Sequence, residues 1–101
     1  MSGALPQLTE ASPGHYLLQG ELTLAFVGPL RDAGRALFAR GAAGGLQVDL
    51  GGVTRADSAG LALLVDWLAW AQAAARTLKY ARLPAELTAL ARLSELDSLL
   101  A

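Results

Sequence analysis

Cysteine is absent from the 101 residues of this sequence, and histidine occurs once, as His15. Without cysteine the chain has no disulfide framework, and a single histidine has no partner ligands for a zinc site. Charge is scarce as well, because Asp, Glu, Lys and Arg make up 17% of the residues, against roughly 25% in typical soluble domains. The low charge predicts that some apolar surface stays exposed.

A surplus of basic residues is also missing. Eight Lys and Arg face nine Asp and Glu, for a formal net charge of −1, and the basic side chains are scattered from Arg31 to Arg92. Nucleic acid and anionic lipid are therefore not expected as partners. The first residues lack the basic and apolar segments of a secretory signal, which favours a cytoplasmic location. A chain of this length has room for one core, so residues 1–101 are expected to form one domain.

The longest apolar stretch is too short and too interrupted to be a convincing membrane span. Residues 59–75 are apolar apart from Gly60, Asp66 and Gln72, whereas a spanning helix needs roughly 17 to 25 residues. Asp66 near the middle adds a cost of about 2.5–3.5 kcal/mol on insertion scales. No direct membrane insertion is expected.

Hydrophobic periodicity predicts an α/β domain with a mixed sheet of about four strands. Apolar alternation between turn residues predicts strands at 6–11, 15–18, 46–50 and 77–83. Helical spacing of apolar residues predicts helices at 30–40 and 58–75 and a third that Pro84 opens. Strands that alternate with helices require crossover connections, so the sheet should be at least partly parallel, with helices packed against it.

The helix at 58–75 has two apolar faces. At 100° per residue, one stripe collects Leu61, Leu64, Val65 and Leu68, which suits packing against a sheet. The opposite side carries Ala59, Leu63, Trp67, Trp70 and Ala74. This second face is either covered by another element of the same domain or exposed to a partner. The two tryptophans favour the partner, because Trp dominates the binding energy of many interfaces.

Ser58 follows the strand at 46–50 and opens this helix, and three roles are open to it. It lacks the Gly-x-Ser-x-Gly context of a nucleophile elbow, and His15 has no recognisable relationship to it, which argues against hydrolysis. Ser58 or Asp57 can cap the helix. A regulatory phosphate also suits this position, since a helix N-terminus favours a dianion. Gly51, Gly52 and Gly60 match no nucleotide-binding spacing, so no cofactor or small-molecule substrate is expected.

Several of these segments together resemble a known family, the STAS domain. The resemblance rests on Val48-Asp49-Leu50, the loop 51–56, and Asp57-Ser58-Ala59-Gly60-Leu61 at the start of the helix, with Gly20-Glu21-Leu22-Thr23 upstream. It implies a STAS-like fold over nearly the whole chain and a non-catalytic function in protein binding.

Within that family, Trp67, Trp70 and the segment Arg82-Leu83-Pro84-Ala85 are most similar to the small STAS subunit of Mla-type ABC transporters, which move phospholipids between bacterial membranes. This likeness implies an accessory subunit that binds the cytoplasmic ATPase and is peripheral to the inner membrane through the complex. The alternative is an anti-sigma factor antagonist with Ser58 as phospho-acceptor. The partner-binding residues expected are Thr54, Arg55, Asp57, Ser58, Ala59, Leu63, Trp67, Trp70 and Ala74.

Overall fold

A computed structural model describes residues 5–41 and 44–100 of the chain. The structure has four strands and four helices within these residues, and the first seven elements follow the order that the periodicity predicts, with a short helix after them. They are β1 Gln7–Ser12, β2 His15–Leu22, α1 Val27–Arg40, β3 Leu46–Ala56, α2 Ser58–Ala73, β4 Leu78–Ala81, α3 Ala85–Leu93 and α4 Asp97–Leu100.

The four strands form one mixed sheet in the order β1-β2-β3-β4. β1 and β2 are an antiparallel hairpin with a turn at Gly14, whose φ of 79° suits glycine. β2 pairs with β3, and β3 with β4, in parallel. The two parallel steps follow from the helical crossovers α1 and α2, which return the chain to the same end of the sheet. The prediction of a mixed α/β sheet with helices packed against it is confirmed.

One face of the sheet is buried and the other is open. In β2, Tyr16 and Leu18 are buried and Gln19 is exposed. In β3, Val48 is buried and Gln47 is exposed. This alternation is the period-two pattern of a half-buried strand. All helices described here contribute to the same core on the buried face. The protein is therefore built from two layers, helices on sheet.

A half-buried tyrosine links α2 to the sheet. The Tyr80 hydroxyl of β4 donates a hydrogen bond of 2.6 Å to the backbone oxygen of Leu64 in α2. Burial raises the pKa of Tyr80 far above its ordinary value, because the phenolate would be desolvated there. The hydroxyl therefore stays protonated and keeps its bond to α2.

The prediction of a loop at residues 51–56 is wrong, because β3 continues to Ala56. β2 is longer than predicted too, and its second half accounts for the extension. Gln19 lies opposite Gly52, Gly20 opposite Val53 and Leu22 opposite Ala56. The register is irregular between Leu17 and Gln19 and again between Gly20 and Glu21. The glycines at 51 and 52 broke the apolar alternation, so the sequence pattern ended the strand too early. The ladder instead carries the chain directly to the first turn of α2.

Candidate protein-binding surface

The N-terminus of α2 is capped by Asp57. One carboxylate oxygen of Asp57, Oδ1, accepts hydrogen bonds from the backbone N–H groups of Ala59, at 2.9 Å, and Gly60, at 3.1 Å. Two of the four unpaired N–H groups of the first turn are thereby satisfied. Ser58 is the first residue of the helix, and its side chain is exposed. The capping role thus falls to Asp57, which leaves the Ser58 hydroxyl facing solvent.

The first turn of α2 lies directly on the end of β2. The N–H of Asp57 donates to the oxygen of Leu22 at 3.2 Å. A Cβ atom on Gly60 would lie 2.4 Å from that same oxygen, closer than any side chain permits. Glycine at position 60 is therefore required by this close approach. It fixes the start of α2 against the strand end.

Asp57 also holds the turn that connects β2 to α1. Its second oxygen, Oδ2, accepts a hydrogen bond of 3.1 Å from the N–H of Leu24. The turn is closed by a bond of 2.9 Å from the N–H of Phe26 to the oxygen of Thr23. The Leu24 side chain projects from this turn and is 76% exposed. One carboxylate thus joins the β2–α1 turn to the start of α2.

The prediction that Leu63 and Trp67 lie on an exposed face is wrong. Trp67 is fully buried and Leu63 is 4% exposed. The Trp67 indole N–H donates to the backbone oxygen of Arg31 at 3.2 Å, and the ring lies edge-on to Phe38 at a centroid distance of 5.2 Å. Helix α1 covers this side of α2, as the alternative interpretation of the second apolar face required.

Gly34 makes that contact between the helices possible. It lies in α1 between Leu30 and Phe38 at helical spacing, and a Cβ atom there would lie 2.4 Å from the Trp67 ring. The indole fills the space that a side chain would occupy. On the outer side of the same contact, both guanidinium nitrogens of Arg35 that face α2 bond the Asp66 carboxylate, at 2.6 and 3.2 Å.

The remaining predicted site residues fall into two groups. Exposed or half-buried near the start of α2 are Thr54, Arg55, Asp57, Ser58 and Ala59. Near the end of α2, Trp70 is half-buried, and its ring centroid lies 5.8 Å from that of Phe38. Ala74 is exposed at the C-cap. In the structure, Ala59 shares a groove with two residues that the sequence pattern did not single out, Leu24 and Ala62.

We give the name α2 surface to a set of six residues. They lie on the first two turns of α2, at the end of β3 that leads into α2, and on the turn between β2 and α1. They are Leu24, Thr54, Arg55, Ser58, Ala59 and Ala62.

A groove of about 360 Å³ lies between α1 and α2, and three members of the α2 surface line it. Most of its lining residues are apolar. Its lining residues are Leu24, Val27, Gly28, Arg31, Ala59, Ala62, Leu63 and Asp66. A second apolar groove, of about 450 Å³, lies on the other flank of α1 beside β1 and does not include any predicted site residue.

His15 and Ser58 lie too far apart to act together in catalysis. His15 begins β2, whereas Ser58 comes two residues after Ala56, which lies opposite Leu22 at the end of β2. Seven strand steps of ~3.3 Å separate the two levels by about 23 Å, so these side chains cannot act as base and nucleophile. Within residues 5–41 and 44–100, no three His, Cys, Asp or Glu side chains cluster as metal ligands. No helix in these ranges is long and apolar enough to cross a membrane.

Comparison with known proteins places this geometry in context. The sequence model of a family described as "Mlab, STAS domain" matches residues 10–101. A solved structure of the anti-sigma factor antagonist SpoIIAA in its unphosphorylated form is similar, with a TM-score of 0.73 and 17% identity over 95% of this chain and 85% of that one. At that identity the likeness concerns the fold. No curated protein matches the sequence.

Proposed function

Because this chain belongs to the STAS domain family, we propose that it is a non-catalytic accessory subunit of an ABC transporter that moves phospholipids between bacterial membranes. In this role it binds the cytoplasmic ATPase subunit through the α2 surface and is held at the inner membrane by the complex. The observation that carries the proposal is the match of residues 10–101 to the family described as Mlab.

The structure changes which residues support this role. Trp67 belongs to the core and contributes to binding only by holding α1 against α2, whereas Leu63 is 4% exposed and lines the groove. What α2 offers a partner is a face of small side chains, since Ala62, Ala69 and Ala73 are all exposed. Small residues let a partner helix approach the backbone closely, while Leu24 beside them adds an apolar projection.

An affinity capture with one blocking and one control variant tests the proposal. In Ala62→Arg, a long charged side chain fills the groove without disturbing buried contacts, because Ala62 is exposed. Ala89→Arg makes the same change at an exposed alanine in the middle of α3. Tagged proteins are incubated in native bacterial lysate, and captured proteins are identified by mass spectrometry.

We expect wild type and Ala89→Arg to capture an ABC ATPase and Ala62→Arg to lose most of it. A bulky charge at the centre of an interface of this kind commonly costs 2 kcal/mol or more, about thirtyfold in affinity. Equal capture by all three proteins would remove the α2 surface from the interface. Absence of any ABC ATPase from the wild-type sample would contradict the proposed function.

A second function, antagonist of an anti-sigma factor, is favoured by one observation. The Ser58 hydroxyl is exposed at the first helical position, where a kinase can reach it, and Asp57 rather than Ser58 provides the cap. Capture of a kinase-like anti-sigma factor by wild-type protein, with phosphate transfer that Ser58→Ala abolishes, would establish this function in place of the first.

A further inference from the structure

We propose that Asp57 is a positioning residue for partner binding: one carboxylate oxygen caps α2, and the other fixes the β2–α1 turn so that Leu24 stands beside Ala62 as an apolar anchor. The partner in view is the ATPase subunit, so this inference rests on the proposed function. It adds to that function a specific contact residue and the group that orients it.

Asp57 holds the turn between β2 and α1 through its backbone and through its side chain. The backbone N–H of Asp57 binds the oxygen of Leu22 at 3.2 Å, and the side chain of Asp57 accepts from the N–H of Leu24 at 3.1 Å. Asp57 thus forms hydrogen bonds to the residues on both sides of Thr23. Since the same carboxylate binds Ala59 and Gly60, the turn and the helix start share one rigid link.

The Leu24 side chain is not buried by the rest of the protein. At 76% exposure it gains little from packing, so its position depends mainly on the backbone bonds of the turn. An exposed leucine on a fixed turn keeps its apolar area available for burial by a partner. Leu24 lines the same groove as Ala59 and Ala62, which makes it continuous with the rest of the α2 surface.

The charges at the groove indicate which chemistry a partner should present. The charged side chains at the groove already have partners within the chain. Of the two charged residues that line it, Asp66 is bound by Arg35, and the Arg31 guanidinium lies 3.2 Å from the Asp32 carboxylate. The groove therefore has no need of a countercharge. We infer that the ATPase subunit presents an apolar side chain between Leu24 and Ala62.

The substitution Asp57→Asn separates the two tasks of the carboxylate. The single carbonyl oxygen of asparagine can still accept from Ala59 and Gly60, and asparagine caps helices about as well as aspartate. Its NH₂ group then faces the Leu24 N–H and cannot accept a bond. We expect thermal stability close to wild type and amide exchange at Leu24 at least about tenfold faster, since hydrogen bonds to charged groups are strong. Unchanged exchange at Leu24 would overturn the positioning role.

The contact itself is tested with Leu24→Ser, and Leu93→Ser is the matched control. Leu93 is 83% exposed at the end of α3. Binding is measured by calorimetry against the purified ATPase subunit identified by capture. Loss of a buried leucine predicts affinity about ten to a hundred times weaker for Leu24→Ser, with Leu93→Ser unchanged. Wild-type affinity in Leu24→Ser would overturn this inference and leave the proposed function standing, whereas failure of wild type to bind would overturn both.

A double variant distinguishes positioning from a general structural effect. If Asp57 acts through Leu24, Asp57→Asn weakens binding in the wild-type background and has no further effect when Leu24 is already serine. Equal losses in both backgrounds would mean that Asp57 does not act through Leu24, which contradicts the proposal.

Discussion

Replacing Trp67 with alanine should remove a large share of the free energy of unfolding, because this side chain is the packing centre between α1 and α2. Trp67 is fully buried and packs on Phe38, and its N–H binds the Arg31 oxygen across the contact between α1 and α2. Gly34 leaves the space that the ring fills. Alanine in this position leaves a large cavity between the two helices.

Such cavities cost about 3–5 kcal/mol for Trp→Ala in a core, a large share of the roughly 5–15 kcal/mol that stabilises a domain. For a domain of about 100 residues, each kcal/mol lowers Tm by roughly 4–8 °C. The expected fall in Tm is therefore at least about 12 °C. Trp70→Ala removes a half-buried ring with a tilted contact to Phe38 and should cost only about 1–2 kcal/mol.

Urea unfolding followed by far-UV circular dichroism measures both variants, and the slope of the transition shows whether each remains two-state. Trp67→Phe is a third variant that keeps an aromatic ring but loses the donor to Arg31, so its stability should lie between wild type and Trp67→Ala. The reasoning is refuted if Trp67→Ala costs no more than Trp70→Ala. That result would mean that the tryptophan is not the packing centre between the helices.

Two further predictions concern the same core and the open sheet face. Gly34→Ala should destabilise the protein by about 1–3 kcal/mol, because the added Cβ collides with the Trp67 ring. Gly28→Ala, in the same helix with open space around it, should be neutral or stabilising by up to about 1 kcal/mol. Equal Tm values for the two variants would contradict this. Hydrogen bonds from Arg82 and from the Gly51 N–H hold the pKa of Asp49 below its usual range. Wild type should therefore be more stable than Asp49→Asn above about pH 3.9, and it should lose that advantage as the pH falls through the lowered pKa. Urea midpoints in neutral and strongly acidic buffer measure this, and an advantage that persists in acid would refute it.

The order and type of the elements could be predicted from the sequence because their patterns are local. Alternating apolar residues in β2 and β3, and Pro84 before α3, carry their own signals. The far end of β3 could not be predicted, since Gly51 and Gly52 carry no apolar alternation and the ladder there is set by pairing with β2. Pairing between distant segments overrides local propensity.

The site was harder to predict, because exposure depends on which element covers which face. An apolar face with Leu63 and Trp67 fits a partner and a neighbouring helix equally well in sequence. One signal pointed to the neighbouring helix: Gly34 lies midway between Leu30 and Phe38 on the apolar stripe of α1, a gap that suits a large ring. The role of Asp57 in holding Leu24 carries no sequence signal, since 33 positions separate the two residues.

Cross-linking inside living cells tests most directly whether the α2 surface binds an ABC ATPase. A photoreactive phenylalanine derivative is introduced at Ala62 in one protein and at Ala89 in another, both exposed helical positions. The account predicts that the probe at 62 forms a cross-link to an ABC ATPase and that the probe at 89 does not. A cross-link from 62 to a kinase-like anti-sigma factor, or equal cross-links to the ATPase from both positions, would contradict it.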